Sequence, residues 1–182
     1  WKRMCDEDLL PYRALYRHLP FVMVAHAAYS EVTKGNVPAS LSVKWMQSIL
    51  RDKIGFRHLI ISDDLEMGGV LAAGPIEEVA VETLRAGADL FLICHNQELV
   101  WRGYEAVLRE AERDRRFAEH VGNAAKRVLN LKNRAPELRG FAREPKEKVL
   151  EKLTQVVREF SRVIAAPQID DRLITFKAER NA

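Results

Sequence analysis

Residues 55–69, GFRHLIISDDLEMGG, contain the clearest strand pattern of the chain. The apolar run Leu59–Ile61 leads directly into Ser62, Asp63 and Asp64, and a loop with two glycines follows. A short aliphatic run bounded by turn residues predicts a buried β-strand. Carboxylates at the end of such a strand either cap the following turn or take part in chemistry.

Two further apolar runs predict strands of the same kind. They are FVMVAH, residues 21–26, which we expect to be buried on both faces, and LFLIC, residues 90–94. Amphipathic helix patterns separate the three strands, at residues 43–50 and at residues 75–87. Strands that alternate with helices predict an α/β fold with a parallel sheet.

The chain changes character after residue 113, because no further strand pattern follows. Two helices are predicted, one with Phe117 to Leu131 and one with Val149 to Val163 on its apolar side. Between them, residues 133–146 hold two prolines, one glycine and many charges, which is typical of a linker. We therefore predict an α/β portion at 1–132, a linker at 133–146, and a helix with a weakly ordered tail at 147–182.

Composition restricts the classes of partner and the cellular location. The net charge of +3 comes from 29 basic and 26 acidic residues spread along the chain, so we predict no nucleic-acid partner and expect a small molecule instead. No apolar run is long enough for a membrane helix, and no signal-peptide pattern is present. Cys5 and Cys94 are too few and too far apart for a disulfide framework or a zinc site. We therefore predict a cytoplasmic protein without a membrane partner.

Four segments carry a resemblance to a known family. PFVMVAHAAYSEV, PASLS, ILRDKIGFRHLIISDDLEM and AGADLFLICHN have the order and spacing of family 3 glycoside hydrolases, over about residues 6–131. Within that family the chain is similar to the bacterial β-N-acetylhexosaminidases of peptidoglycan recycling. The resemblance implies a partial (β/α)8 TIM barrel, in which residues 21–26, 59–62 and 90–94 are strands six to eight and the later helices are additional.

The resemblance also implies a function for the first aspartate of the motif. In the family, the aspartate directly after the serine is the nucleophile of a retaining glycosidase, which assigns that role to Asp63. The implied substrate is a terminal β-linked N-acetylglucosamine, and no cofactor is implied. The family's acid/base and sugar-binding residues lie on earlier strands, so the implied partner is the missing N-terminal part of the barrel. His58 and Glu66 depart from the family pattern, which has glycine and a small residue there.

Each candidate site residue also has a structural interpretation. Asp64 is expected to cap the loop or to pair with a base, since strand alternation directs two adjacent carboxylates to opposite sides. For His26, a substrate contact and a hydrogen-bonded structural role are equally supported, whereas the structural role is favoured for His95. Met67 is a candidate for the pocket wall. No histidine and carboxylate pair has metal-ligand spacing, so we predict no metal.

Two functions from different classes remain open. The first is a retaining glycosidase of which this chain is the carboxyl-terminal portion. The second is a catalytically inactive remnant that binds sugar or a protein partner, because the acid/base and the sugar-binding residues supply much of the transition-state stabilisation. A phosphorylase with the same nucleophile is a narrower alternative, since segments outside these residues choose the acceptor.

Overall fold

The computed structural model describes residues 1–135 and 145–165. The chain divides into two compact units, residues 1–139 and residues 140–182. Most of the predicted linker and the whole predicted tail beyond residue 165 lie outside the described residues. The boundaries 1–132, 133–146 and 147–182 therefore stay predictions.

A three-stranded parallel sheet forms the centre of the first unit. Its strands are β1 (Phe21–Val24), β2 (Leu59–Asp64) and β3 (Leu90–Leu92), and β2 lies in the middle. This confirms the predicted α/β class and the three parallel strands. β1 and β3 are shorter than predicted at their carboxyl ends, and β2 is two residues longer than the predicted 59–62.

The pairing of β2 with β3 is irregular at the carboxylates. Ile61 pairs with Leu90 and Asp64 pairs with Leu92, so β2 has one more residue than β3 between these two positions. Such a β-bulge locally bends a strand, and bulges are common next to active sites. The bulge therefore lies at the segment that holds Asp63.

The helices cover only one face of β1. Val22 and Val24 are buried, whereas Phe21 and Met23 are 47% and 48% exposed. The prediction that this strand is buried on both faces is therefore wrong for the described residues. Phe21 pairs with Leu59, which is buried, and Met23 pairs with Ile61, which is half-buried, so the exposure of this face is confined mainly to β1.

The described residues of the first unit form six α-helices beside this sheet. They are α1 (Leu10–Leu15), α2 (Ser30–Thr33), α3 (Gly68–Leu71), α4 (Ile76–Ala86), α5 (Gln97–Arg113) and α6 (Arg115–Arg134). Met4–Asp8 and Lys44–Ile54 have π-helical hydrogen bonding, and Ala39–Leu41 forms a 3₁₀ turn. Gly87 ends α4 as predicted, with a left-handed φ of 118°, and a Cβ there would press on the end of the Gln47 side chain. The backbone conformation therefore favours glycine at this position.

Two apolar clusters hold the strand ends in place. The first joins β1 and β2 to the Lys44–Ile54 helix and includes Val22, Val24, Ile60, Met46, Ile49, Leu50 and Phe56. The second packs α4 against the loop after β2 and includes Leu65, Val70, Ile76, Val79 and Ala80. Because these residues are almost fully buried, the polar residues between Ile60 and Leu65 have little positional freedom.

The described part of the second unit is one helix, α7 (Glu147–Ala165). Its apolar side chains are about half exposed; they are Val149, Leu150, Leu153, Val156, Val157 and Phe160. Across the described residues of both units, none of the helices has the length and apolar character required to span a membrane.

Candidate active site

Polar residues collect at the carboxyl edge of the sheet. His26 follows β1, Asp63 and Asp64 end β2, and Cys94 and His95 follow β3. Parallel strands point in one direction, so these five residues come from the same edge although long stretches of sequence separate them. In open and closed α/β sheets, this edge is where ligands usually bind.

Asp63 is partly buried, and its backbone is firmly held. Oδ1 of Asp63 accepts a hydrogen bond from the backbone N–H of Asp64 at 2.9 Å, and its carbonyl accepts one from Oγ of Ser62 at 2.7 Å. The fully buried Ser62 also accepts a hydrogen bond from the backbone N–H of Leu92 at 3.3 Å. The segment that positions the Asp63 carboxylate is thus tied to the neighbouring strand.

Asp64 turns toward its own loop, as expected. Oδ1 of Asp64 accepts a hydrogen bond from the backbone N–H of Glu66 at 3.1 Å, and Oδ2 lies 3.5 Å from Nδ1 of His95. The Asp64 side chain is 14% exposed, whereas the His95 side chain is 81% exposed. The two adjacent carboxylates therefore have different local partners.

His26 is buried, and both of its ring nitrogens have protein partners. Nε2 lies 2.8 Å from the backbone carbonyl oxygen of Asp64, and Nδ1 lies 2.6 Å from Oγ of Ser40. A carbonyl can only accept, so Nε2 carries a proton, and in the neutral ring Nδ1 accepts from the Ser40 hydroxyl. This geometry favours the structural role of the two left open by the sequence. The substrate contact of His26 stays a prediction.

Glu66 connects the loop after β2 to the loop after β3. Oε2 accepts hydrogen bonds from the backbone N–H groups of Cys94 at 2.8 Å and His95 at 2.6 Å, and Oε1 accepts one from Asn96 at 3.0 Å. These bonds, that of His95 most, hold the pKa of Glu66 below its ordinary value. Glu66 is therefore ionised at neutral pH and fixes the residues before α5.

Cys94 is a free thiol next to this carboxylate cluster. Cys94 is exposed, but neighbouring atoms partly desolvate its thiol, and this, followed by the negative charge of Asp64, raises the pKa of the thiol above the ordinary value. The thiol is therefore protonated at neutral pH. A protonated thiol is a weak nucleophile, which argues against covalent chemistry at Cys94.

Asp64, Glu66 and His95 are the described residues that bring metal-ligating atoms together, with one atom of each within 4.8 Å of the others. Their spacing in sequence did not show this, since His95 lies 29 residues after Glu66. Oε2 of Glu66 already accepts two backbone hydrogen bonds, so the protein itself uses the lone pairs that a metal would need there. The absence of a metal stays a prediction.

The structure thus brings some of the predicted site residues together. His26 contacts the backbone of Asp64, directly beside Asp63. Met67, predicted to line the pocket, is 47% exposed at the start of α3, and its role stays a prediction. The bridge made by Glu66 was missed. Its only signal in the sequence was the departure from the family pattern at that position.

Comparisons with known proteins agree on one family. Residues 1–131 match the protein-family description "Glycosyl hydrolase family 3 N terminal domain". A protein named "Beta-hexosaminidase" from Neisseria meningitidis serogroup B is 44% identical over 105 residues, covering 55% of this chain and 28% of that protein. The chain thus spans little more than a quarter of the length of this curated relative.

Solved structures also include a similar protein of this family. A family 3 β-N-acetylglucosaminidase from Paenibacillus sp. str. FPU-7 superimposes with a TM-score of 0.70 at 30% identity, covering 79% of this chain and 27% of that one. A structure titled as beta-glucoside phosphorylase BglX bound to 2FGlc superimposes with a TM-score of 0.60 at 26% identity, covering 74% of this chain and 25% of that one.

Proposed function

The chain belongs to glycosyl hydrolase family 3, and from this premise we propose that it is part of a retaining β-N-acetylhexosaminidase with Asp63 as the nucleophile. The observation that carries the proposal is the Ser62–Asp63 pair at the bulged carboxyl end of the central strand. A retaining glycosidase needs an ionised carboxylate on one side of the anomeric carbon and a proton donor on the other side. Asp63 supplies the first of these groups.

We propose that β1, β2 and β3 are strands six to eight of a (β/α)8 barrel. In such a barrel, one face of each strand packs against the helices and the other face lines the interior. Val22, Val24 and Ile60 face the helices, whereas Phe21 and Met23 lie on the uncovered face. The remaining strands would bury this face, so the N-terminal part of the barrel is the proposed partner.

The hydrogen bonds around Asp63 are compatible with a role as the attacking carboxylate. Its backbone is fixed by Ser62, while one carboxylate oxygen accepts a bond from the N–H of Asp64. The carboxylate attacks the anomeric carbon, and the glycosidic oxygen leaves with a proton from an acid/base residue of the proposed N-terminal part of the barrel. Water then hydrolyses the glycosyl ester, and the same acid/base residue takes the proton of that water.

The proposed substrate is a terminal β-linked N-acetylglucosamine on a peptidoglycan fragment. The matched relatives are named for hexosaminidase and N-acetylglucosaminidase activity, which supports the sugar. Met67, at the start of α3, is the proposed contact for the sugar within this chain. A cytoplasmic location is proposed because Cys5 and Cys94 are free thiols.

A phosphorylase is the second candidate, because a structurally similar protein is titled as a beta-glucoside phosphorylase. Phosphorolysis would use the same nucleophile, but phosphate instead of water would take the sugar from the glycosyl ester. Product analysis of the restored enzyme, with and without inorganic phosphate, separates the two reactions. A sugar 1-phosphate indicates phosphorolysis, and free sugar alone indicates hydrolysis.

Asp63→Ala tests the proposal in an enzyme in which the N-terminal part of the barrel is restored by fusion or co-expression. Loss of the nucleophile is expected to lower kcat for an aryl N-acetyl-β-glucosaminide by roughly four orders of magnitude. Asp64→Ala, which removes the loop cap next to it, is expected to cost much less, about tenfold. Full activity of Asp63→Ala would contradict the nucleophile assignment. If all versions, including the unsubstituted enzyme, were inactive, the remnant hypothesis would be favoured instead.

A further inference from the structure

Helix α7 carries a continuous apolar stripe, formed by Val149, Leu153, Val156 and Phe160. These residues are spaced four, three and four positions apart, so they lie on one face of the helix. Their side chains are 47–64% exposed, and every residue from 147 to 162 is exposed. None of the residues that the structure describes therefore covers this stripe.

The spacing of the stripe is the heptad pattern of helices that pack against another helix. In this pattern the four stripe residues occupy the core positions a and d. The e positions on one flank hold Leu150 and Val157, which are 48% and 62% exposed. The g positions on the other flank hold Lys152 and Glu159. One flank of the stripe is thus apolar, and the other carries one charge of each sign.

These two different flanks fit a second α7 that runs in the antiparallel direction. In an antiparallel pair of helices, e positions face e positions and g positions face g positions, whereas in a parallel pair g faces e. With Leu153 opposite Val156 of a second copy, Lys152 of each copy lies beside Glu159 of the other. The apolar e flanks also meet each other. A parallel pair would instead place both charges against apolar residues.

We propose that α7 is a self-association site, and that its partner is the antiparallel α7 of a second copy of this chain. Among the described residues, Lys152 has no ion-pair partner, and Glu159 accepts a hydrogen bond from Nε2 of Gln155 at 3.0 Å. Both charges are therefore available to pair across the interface. The stripe from Val149 to Phe160 is only about 17 Å long, so the expected Kd is on the order of tens of micromolar. The inference does not rest on glycosidase activity.

Charge reversal tests this pairing in the full chain, with association measured by sedimentation equilibrium at several protein concentrations. Lys152→Glu and Glu159→Lys each bring like charges together at two symmetric places, so each is expected to weaken association roughly tenfold. The double variant Lys152→Glu/Glu159→Lys restores opposite charges and is expected to regain the wild-type Kd. Lys148→Glu and Glu151→Lys are the matched controls, because they make the same charge changes away from the stripe and its flanks.

Leu153→Asp tests the apolar part of the same interface. A carboxylate in the middle of the stripe would lose water without gaining a partner, so association is expected to weaken on the order of a hundredfold. Far-UV circular dichroism checks that each variant is folded. If Leu153→Asp does not fold, the charge variants decide alone, because they change only exposed polar side chains.

Three results would overturn the proposal. The first is a wild-type chain that stays monomeric at about millimolar concentration, well above the expected Kd. The second is a Kd that Leu153→Asp leaves unchanged, because association would then arise from another surface, such as the exposed face of β1. The third is a double charge variant that associates as weakly as the single variants, which would exclude an antiparallel pair of α7 helices.

Discussion

Asp89 is a buried carboxylate at the opposite end of the sheet from Asp63. Its Oδ2 accepts hydrogen bonds from the Arg51 guanidinium at 2.7 Å and from the backbone N–H of Ile60 at 2.8 Å. Its Oδ1 accepts one from the Arg127 guanidinium at 2.7 Å. Asp89 therefore connects the Lys44–Ile54 helix, β2 and α6 at the beginning of β3.

Replacement of Asp89 by alanine is expected to lower the free energy of unfolding by about 3–5 kcal/mol, because it leaves Arg51 and a buried N–H without their acceptor. Arg127→Ala is expected to cost less, since the Arg127 side chain is one-third exposed and Asp89 keeps its other partners. Urea unfolding of both variants measures the difference, with the exposed Asp52→Ala as a control. Equal stability of Asp89→Ala and Asp52→Ala would disprove the role of this network.

The sequence predicted single residues better than pairs of residues. The position of Asp63 and Asp64 at a strand end was predictable because the motif is contiguous and the strand before them has a clear apolar pattern. The contacts of Glu66 with Cys94 and of Asp89 with Arg51 join residues 28 and 38 positions apart. Such pairs depend on which strands become neighbours, and no local pattern of residues shows that.

At the scale of elements, the side chain of Asp114 caps the start of α6. Oδ1 of Asp114 accepts hydrogen bonds from the backbone N–H groups of Arg116 at 2.9 Å and Phe117 at 3.2 Å, and Oδ2 pairs with Arg85 at 3.0 Å. The hydrogen bond from Arg85, followed by that from Phe117, holds the pKa of Asp114 below its ordinary value. The ionised carboxylate thus joins the start of α6 to α4.

A carboxylate with a lowered pKa stabilises the folded state above its unfolded pKa, and this contribution is lost as the pH falls through the folded pKa. Asp114→Ala is therefore expected to lower Tm by a few degrees at neutral pH, and the difference from wild type is expected to shrink below about pH 4. Asp114→Asn keeps a capping oxygen but not the charge, so its smaller loss is expected to follow the same trend. Thermal unfolding from pH 7 to pH 3 measures this, and a difference that grows in acid would contradict it.

Strand positions were predictable, but strand burial was not. The apolar run of residues 21–26 is typical of a strand buried on both faces, yet only Val22 and Val24 of β1 are buried. An apolar sequence pattern indicates that a residue is buried in the complete fold. Among the described residues, helices cover only one face of β1. In the barrel that we propose, further strands would cover the exposed Phe21 and Met23.

At the scale of the whole molecule, the described sheet leaves two apolar side chains of β1, Phe21 and Met23, about half exposed. The first unit buries its helix-facing residues well, so it keeps the strand ends and Asp63 in place. The proposed interior of the barrel needs further strands, which also hold the proposed proton donor. Our proposal therefore places the nucleophile in this chain and the proton donor in another part of the barrel.

Covalent labelling is the most direct test of the central claim that Asp63 is the nucleophile of a retaining glycosidase. The enzyme with its N-terminal part restored is treated with a mechanism-based fluorosugar, which slows hydrolysis of the glycosyl ester, and the labelled peptide is identified by mass spectrometry. We expect one glycosyl group per protein, attached to Asp63 and absent in Asp63→Ala. A label on another residue of the active enzyme would contradict the account.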